Sequence, residues 1–200
     1  YNSDLDKLPR AGLIHRLDKD TTGLIIAAKN IVAHGHLSRM MQERQIKRQY
    51  IALCQGTMVS GKTIDLPIDR DPHSRIKMAV VDSGKHAITH YRIEERYRAH
   101  TLIKVKLETG RTHQIRVHMS HTGHPLIGDQ TYRKQIALEC KISEALKIAC
   151  REFKRQALHA ESLAFTNPVS GKDISVTAKL PPDFIQLIEA MRTDLKHSNQ

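Results

Sequence analysis

Two strongly alternating segments, 87–93 and 101–107, most constrain the fold of this chain. In each, small or hydrophobic residues alternate with mostly polar ones, and this period-2 pattern predicts β-strands with one buried and one exposed face. Most of the other predicted strands also follow one another without an intervening helix. We therefore predict a mixed α+β fold, with a mostly antiparallel sheet and flanking helices, rather than a regular alternation of strands and helices.

Helical spacing of hydrophobic residues predicts three longer helices. The first covers 31–44, directly after Asn30, which can act as its N-cap. The other two cover 143–153 and 182–196, and the proline at position 182 suits a first helical turn. Hydrophobic runs bounded by turn residues indicate further strands at 23–28, 48–54, 158–165 and 174–179, with several short strands between residues 62 and 82.

The balance of charged residues indicates a polyanionic partner. The chain has 32 Lys and Arg against 21 Asp and Glu, a formal net charge of +11 that is spread through its length. Such an excess favours nucleic acid as a partner before an anionic membrane surface. The longest stretches without a charged residue, 51–61 and 117–128, have only 11 and 12 residues. They are too short and too polar for a transmembrane helix, and we predict none.

Cysteine and histidine residues give little support for a disulfide framework or a metal site. Cys54, Cys140 and Cys150 show no CxxC spacing, and we see no signal peptide, which suits a reducing cytoplasm. Four histidines cluster between residues 113 and 124, but their spacing matches no standard ligand pattern and no carboxylate lies among them. We expect polar or RNA-facing histidines there.

The densest group of functional side chains is HRLDKDTTG, residues 15–23. It lies between apolar stretches, and loops on a rigid scaffold often carry catalytic groups. The residue types alone leave three interpretations open. Asp18 and Asp20 could together bind a divalent metal, Asp18 could be a nucleophile or a base, or the segment could be a polar turn before a strand.

A second polar cluster is TGRTHQIRVH, residues 109–118. Gly110 permits a tight connection from a strand into a helix, and Thr112 can cap a short helix from 113 to about 122. The N-terminus of such a helix offers free N–H groups to a phosphate. Arg116 on this helix could point inward and pair with a carboxylate, or it could be exposed to solvent. Spacing alone leaves both orientations open.

Three longer motifs occur in a fixed order: HRLDKDTTGL at 15–24, KRQY at 47–50 and TGRTHQIRVHM at 109–119. They resemble the signatures of the RluA family of pseudouridine synthases. GKHAITHY at 84–91 and LHA at 158–160 also fit, so the resemblance covers almost all of the chain. Within the family, the chain is most similar to the RluD-like enzymes of large-subunit rRNA.

The resemblance implies roles for particular residues. Asp18 matches the catalytic aspartate of the family, Tyr50 its active-site tyrosine, and Arg116 the basic residue that pairs with the aspartate. Arg16 matches an arginine that enters the RNA stack where the target base is flipped out. Contacts to the RNA backbone are expected from a further set of residues: Lys47, Arg48, Arg111 and His113.

The implied activity is the isomerisation of specific uridines to pseudouridine in large-subunit ribosomal RNA, either free or within a pre-ribosomal subunit. The reaction has no redox step and transfers no group between molecules, so no cofactor and no metal are expected. It requires an ionised Asp18, which Arg116 would stabilise, and a uridine that is flipped out of the RNA stack. We expect a monomeric, cytoplasmic enzyme without a membrane partner.

The resemblance also implies that residues 1–200 form one pseudouridine synthase catalytic domain. Family members usually have sheet strands upstream of HRLD, and many add a small N-terminal RNA-binding domain. Only 14 residues precede His15 in this sequence. We therefore expect a catalytic domain that lacks its N-terminal strands and has no separate RNA-binding domain.

Two alternative functions are compatible with the residues. A non-catalytic RNA-binding or ribosome-assembly module would bind RNA with a salt-dependent affinity and form no pseudouridine. A metal-dependent nuclease that uses Asp18 and Asp20 would cleave the strand, and a chelator would abolish its activity.

Overall fold

The computed structural model describes residues 7–133 and 142–197. Within these residues a seven-stranded, mostly antiparallel sheet is flanked by helices, which confirms the predicted α+β fold. The helices are α1 (Ile31–Gln42), α2 (Gln114–His121), α3 (Glu144–Glu152) and α4 (Pro182–His197). The strands are β1 (Thr22–Gly23), β2 (Lys47–Gln55), β3 (Lys62–Asp65), β4 (Ile68–Arg70), β5 (Met78–Val80), β6 (Ile88–Arg96), β7 (His100–Leu107), β8 (Leu158–Thr166) and β9 (Asp173–Thr177).

Strand β2 lies in the middle of the sheet, antiparallel to β8 on one side and to β7 on the other. Beyond β7 the sheet continues through β6 to β3, again antiparallel. Both β1 and β9 pair with β8, β1 in parallel near its start and β9 antiparallel along its second half. Strands β4 and β5 form a separate two-stranded sheet. Since β2 lies between β8 and β7, residues at its start can meet side chains from distant parts of the chain.

Hydrophobic side chains cover both faces of the sheet. On one face, a core cluster includes Leu146 of α3 and Phe184 and Met191 of α4. On the opposite face, α2 contributes Ile115 and Met119 to a second cluster. Most of the central strand β2 and the first half of β7 are therefore buried on both sides.

The prediction of one exposed face is confirmed for β6 and for the second half of β7, where Lys106 is exposed, and is wrong for the first half of β7. Leu102 packs with the cluster of α3 and α4, whereas Ile103, Val105 and Leu107 pack in the cluster on the α2 side. The first half of β7, which lies next to the central strand, is therefore covered on both of its faces. A period-2 pattern cannot show whether the second face is covered by another layer.

Local capping signals located the longer helices closely. Asn30 Oδ1 accepts a hydrogen bond from Ala33 N at 2.8 Å, as expected for the N-cap of α1. Ser143 Oγ accepts from Leu146 N at 3.3 Å at the start of α3. Helix α4 begins at Pro182, as predicted. In the described part of the chain, none of the helices has the length and apolar character needed to cross a bilayer.

The predicted strand at 23–28 is wrong for most of its length. Gly23 ends β1 with a φ of +108°, a conformation that side chains with a Cβ rarely adopt. Beyond it the chain pairs with an earlier segment, and Ile14 N donates to Ile26 O at 3.1 Å. Tertiary pairing thus replaces the continuous strand that the apolar run indicated.

The predicted cap of the short polar helix is also wrong. Helix α2 begins at Gln114, and its N-cap is His113 in the left-handed region at φ 56°, without a side-chain cap. The preceding turn is held by Gln114 Oε1, which accepts from Arg111 N at 2.9 Å and from Thr109 Oγ1 at 2.8 Å. A side chain inside the helix, rather than Thr112 before it, therefore stabilises this turn.

Candidate active site

Three segments that are distant in sequence meet at one cleft of about 470 Å³. It is lined by residues from 14–18, from the start of β2, and from the turn between β7 and α2. Arg116 contacts this cleft from α2 through Asp18, whereas Lys47 is exposed and is not among the lining residues. Six of the eight predicted site residues line the cleft: Arg16, Asp18, Arg48, Tyr50, Arg111 and His113.

Asp18 and Arg116, which are 98 residues apart, form an ion pair. Arg116 Nη1 donates to Asp18 Oδ2 at 3.3 Å, and the two side chains are 7% and 13% exposed, respectively. Of the two orientations that spacing left open for Arg116, the structure shows the inward one. Arg116 points inward because α2 itself lies in the interior, where residues 114–120 are all buried. The polar sequence of this helix therefore forms part of the interior.

A second carboxylate, which sequence reasoning missed, fixes the arginine. Asp129 Oδ2 accepts from Arg116 Nε at 2.7 Å, and Asp129 Oδ1 accepts from Arg116 Nη2 at 2.9 Å. Asp129 is fully buried, and its Oδ1 also accepts from the backbone N–H groups of Thr131 and Tyr132 at 2.8 and 3.0 Å. The available signal was an Asp in a Gly-Asp turn shortly after the helix. Spacing could not show that this turn folds back onto Arg116.

The arrangement keeps both Arg116 and Asp129 charged. Burial lowers the pKa of Arg116, but the hydrogen bonds and charge of Asp129, with a smaller contribution from Asp18, raise it above its ordinary value. Burial raises the pKa of Asp129, but hydrogen bonds and charge from Arg116 more than reverse this and lower it. The Arg116 guanidinium also lies over the Tyr132 ring, 5.0 Å from its centroid. Asp18 therefore faces a fixed positive charge.

The loop that carries Asp18 is held by a buried glutamine that sequence reasoning did not single out. Gln156 Nε2 donates to Lys19 O at 2.6 Å and to Thr21 Oγ1 at 2.9 Å. Within the loop, Thr21 N donates to Asp18 O at 3.0 Å. Gln156 lies two residues before β8, so its position is set by the sheet. The sheet thereby restrains the backbone on the C-terminal side of Asp18.

Tyr50 presents a hydroxyl and an apolar ring to the cleft from β2. It is 6% exposed, and a β-bulge between Gln49 and Tyr50 shifts the register with β8. Burial raises the pKa of its hydroxyl; the positive charge of Arg48 opposes this shift, and the negative charge of Asp18 adds to it. Because the shift is upward, the Tyr50 hydroxyl stays protonated near neutral pH.

His113 enters the cleft as a neutral imidazole. Tyr132 Oη accepts from Met78 N at 2.8 Å and is hydrogen-bonded to His113 Nδ1 at 2.8 Å. Burial lowers the pKa of His113, so the ring is neutral near pH 7.

The residues of the metal interpretation do not come together. Asp20 is exposed with a φ of 69° and does not line the cleft. The clustered histidines have separate partners, since His118 contacts Thr89 and His124 contacts the carbonyl of Gln55. Across residues 7–133 and 142–197, no group of three His, Cys, Asp or Glu is placed to hold a metal ion.

Comparison with known proteins points to one family. Residues 1–121 match a family model described as RNA pseudouridylate synthase. The chain is 52% identical over 194 residues to ribosomal large subunit pseudouridine synthase D of Haemophilus ducreyi. It is 48% identical over 196 residues to the Escherichia coli protein of the same name. These alignments cover 97% and 98% of this chain but 60% of each relative, so the chain spans about three fifths of their length.

Two solved human structures share the fold. RNA Pseudouridylate Synthase Domain Containing 4 superposes with a TM-score of 0.72 at 25% identity, over 90% of this chain and 75% of that one. RNA Pseudouridylate Synthase Domain Containing 1 gives a TM-score of 0.70 at 28% identity, over 90% and 79% of the two chains. The resemblance to RluD-like members of the RluA family, predicted from the motifs, is confirmed. The family model matches more than half of the residues of this chain, which therefore belongs to the RNA pseudouridylate synthase family.

Proposed function

We propose that this chain isomerises specific uridines to pseudouridine in large-subunit ribosomal RNA. The observation that carries the proposal is the Asp18 carboxylate, which lies in a cleft, pairs with Arg116 at 3.3 Å and shares the cleft with Tyr50. The names of the bacterial relatives supply the substrate class. Within this proposal residues 1–200 act as one catalytic domain, in a monomeric, cytoplasmic enzyme that needs no cofactor.

The reaction exchanges one glycosidic bond for another. The N1–C1′ bond breaks, a C5–C1′ bond forms, the proton on C5 leaves, and N1 gains a proton, so the atoms balance without an oxidant or a further reactant. Asp18 assists either by adding covalently to the sugar or base or by removing a sugar proton. Both routes start from an ionised carboxylate, and the fixed charge of Arg116 supports this state in a largely enclosed site.

Tyr50 and Arg16 act on the flipped base and on the gap that it leaves. The Tyr50 ring packs against uracil, and its hydroxyl takes part in removing the C5 proton. Extrusion of a stacked uridine costs a few kcal/mol. The exposed Arg16 guanidinium fills the vacated position in the stack.

Phosphate contacts and shape supply most of the RNA affinity. The chain has no Trp and only 8 Phe and Tyr residues, so extended stacking of single-stranded bases contributes little. Arg111 and His113 line the same cleft as Asp18, and Lys47 extends the positive surface at the start of β2. The residues proposed for backbone contacts are Lys47, Arg48, Arg111 and His113.

Release of tritium from C5-labelled uracil in large-subunit rRNA tests the activity, because only rearrangement at C5 expels this label. We expect release in the presence of excess EDTA, and its loss in Asp18→Asn with RNA binding largely kept. Asp20→Asn is the matched control, since Asp20 is exposed and outside the cleft. Strand cleavage that EDTA abolishes would indicate a nuclease, and binding without any tritium release would indicate a non-catalytic module. Full turnover by Asp18→Asn would refute the role of Asp18.

A further inference from the structure

Arg48 is a buried cation without a partner. Its residue is 7% exposed, its Nε has no hydrogen-bond acceptor, and no ion pair or hydrogen bond joins its guanidinium to any residue that the structure describes. It nevertheless lines the cleft that contains Asp18. A buried guanidinium without a carboxylate is costly to the folded state, so its position calls for a compensating ligand.

His15 adds a second unsatisfied donor to the same cleft. Its Nε2 accepts a hydrogen bond from Ile26 N at 3.1 Å, so in the neutral ring the proton is on Nδ1. This Nδ1 is buried and has no hydrogen-bond partner of good geometry among the residues that the structure describes. Burial and the nearby charge of Arg48 lower the pKa of His15 to about 4, although the adjacent backbone of Arg16 opposes this shift, so the ring is neutral at physiological pH. His15 thus offers an N–H donor beside a permanent positive charge.

The acidic side chains that line the cleft are engaged elsewhere. Asp18 pairs with Arg116, and Glu108 accepts from Arg44 Nη1 at 3.0 Å and contacts His90 Nε2 at 2.6 Å. Among the residues that the structure describes, no carboxylate lining the cleft is therefore left for Arg48. Gly110 lets the guanidinium lie close against the backbone of the turn, since a Cβ at that position would be 2.7 Å from Arg48 Nη1. Arg48 and His15 line the open cleft, where an acceptor from outside the chain can approach them.

We propose that Arg48 and His15 together form a binding site for a backbone phosphate of the RNA strand whose uridine enters the cleft. A phosphate carries the negative charge that the isolated guanidinium lacks, and its oxygens can accept several N–H donors at once. The carbonyl oxygens of uracil are neutral and would leave the charge of Arg48 uncompensated. This phosphate site rests on the RNA substrate of the proposed function and adds His15 as a donor.

The site has a consequence for stability that a purely structural arginine would not share. Without RNA, Arg48 is an uncompensated buried charge, and an apolar side chain of similar length should suit the position better. Arg48→Met is therefore expected to melt at the same temperature as the wild type or higher, while it binds RNA less tightly. A structural arginine would show the opposite pattern, with a lower melting temperature.

Equilibrium binding to large-subunit rRNA over a series of salt concentrations tests the site. For Arg48→Met we expect affinity to fall about 10- to 100-fold, as for a lost charge-assisted contact. The magnitude of the negative slope of log K against log salt concentration should decrease by about 0.7 to 0.9, the value for one phosphate contact. Arg48→Lys keeps the charge, so it should retain the slope and bind more weakly than the wild type. Arg44→Met is the matched control, because Arg44 lines the cleft but is already paired with Glu108.

Three results would overturn the phosphate site. The first is an unchanged salt slope in Arg48→Met, and the second is a slope change no larger than that of Arg44→Met. The third is a lower melting temperature with unchanged binding, which would assign Arg48 a structural role. Tritium release by the wild type is measured in parallel. If the wild type binds the rRNA but releases no tritium, the isomerase proposal fails. The salt slopes of the wild type and the variants still show whether Arg48 contacts a phosphate.

Discussion

Breaking the buried pair of Arg116 and Asp129 should lower the free energy of unfolding far more than breaking an exposed pair of the same geometry. Asp129→Asn keeps the side-chain volume but removes the negative charge and turns an amide donor toward a guanidinium that only donates. Asp129 is fully buried and accepts four hydrogen bonds, two of them from Arg116. Breaking such a pair leaves an uncompensated buried charge and costs about 3 to 5 kcal/mol of unfolding free energy. For a protein of this size that loss lowers the melting temperature by roughly 6 to 20 °C.

The chain contains a control with nearly the same geometry. Arg155 Nε and Nη2 donate to the two carboxylate oxygens of Asp183, both at 2.9 Å, but the Asp183 side chain is 49% exposed. Asp183→Asn should cost no more than about 1 kcal/mol, as for other exposed pairs. Urea denaturation followed by circular dichroism gives both free energies. If the two variants lose equal stability, burial of Asp129 is not what gives its pair with Arg116 the larger effect.

The same pair predicts a pH dependence with a definite sign. The pKa of Asp129 is lowered in the folded state, because hydrogen bonds and charge from Arg116 outweigh the effect of burial. Its contribution to stability is therefore fully present above the unfolded-state value of about 4 and is lost as the pH falls through the lower folded-state value. The difference in unfolding free energy between the wild type and Asp129→Asn should be constant near neutral pH and shrink below about pH 4. A difference that grows on acidification would contradict the assigned direction.

Two further predictions concern the loop of Asp18 and the start of α1. Gln156→Leu removes the two hydrogen bonds that hold the loop. Because Asp18 is then misplaced, kcat should fall about 10- to 100-fold while RNA affinity stays unchanged. Equal losses in binding and turnover would contradict a positioning role. Asn30→Ala removes the N-cap of α1 and should cost about 1 kcal/mol of unfolding free energy without changing turnover, whereas no measurable loss in urea denaturation would show that the cap contributes little.

Sequence patterns were most successful where the governing interactions are local. The cap at Asn30 acts on a backbone N–H three residues away, and α1 begins where the pattern predicted. The HRLD motif likewise identified Asp18 as a candidate site residue, because the residues of that motif are contiguous in the sequence. In both cases the interacting groups are neighbours in the chain.

Patterns were least successful where partners come from distant segments. Asp129 carries no motif of its own, and only the return of the chain after α2 brings it to Arg116. Gln156 lies 137 residues from the loop backbone that it holds, so no spacing rule could connect them. The wrong expectations for the first half of β7 and for residues 23–28 have the same origin: a second covering layer decided the burial of the former, and a pairing with residues near Ile14 decided the conformation of the latter.

By itself, the sequence determined the α+β class, most helix and strand positions, the family resemblance and the candidates Asp18, Tyr50 and Arg116. These follow from periodicity, capping and contiguous motifs, which act over a few residues. The tertiary structure alone decided that Arg116 points inward and that Asp129 holds it. It also decided that Arg48 Nε and His15 Nδ1 are buried at the same cleft without a good hydrogen bond to any described residue. The physical reason is that the charge state and the partners of a buried group depend on everything packed around it, and most of that packing comes from segments far away in the chain.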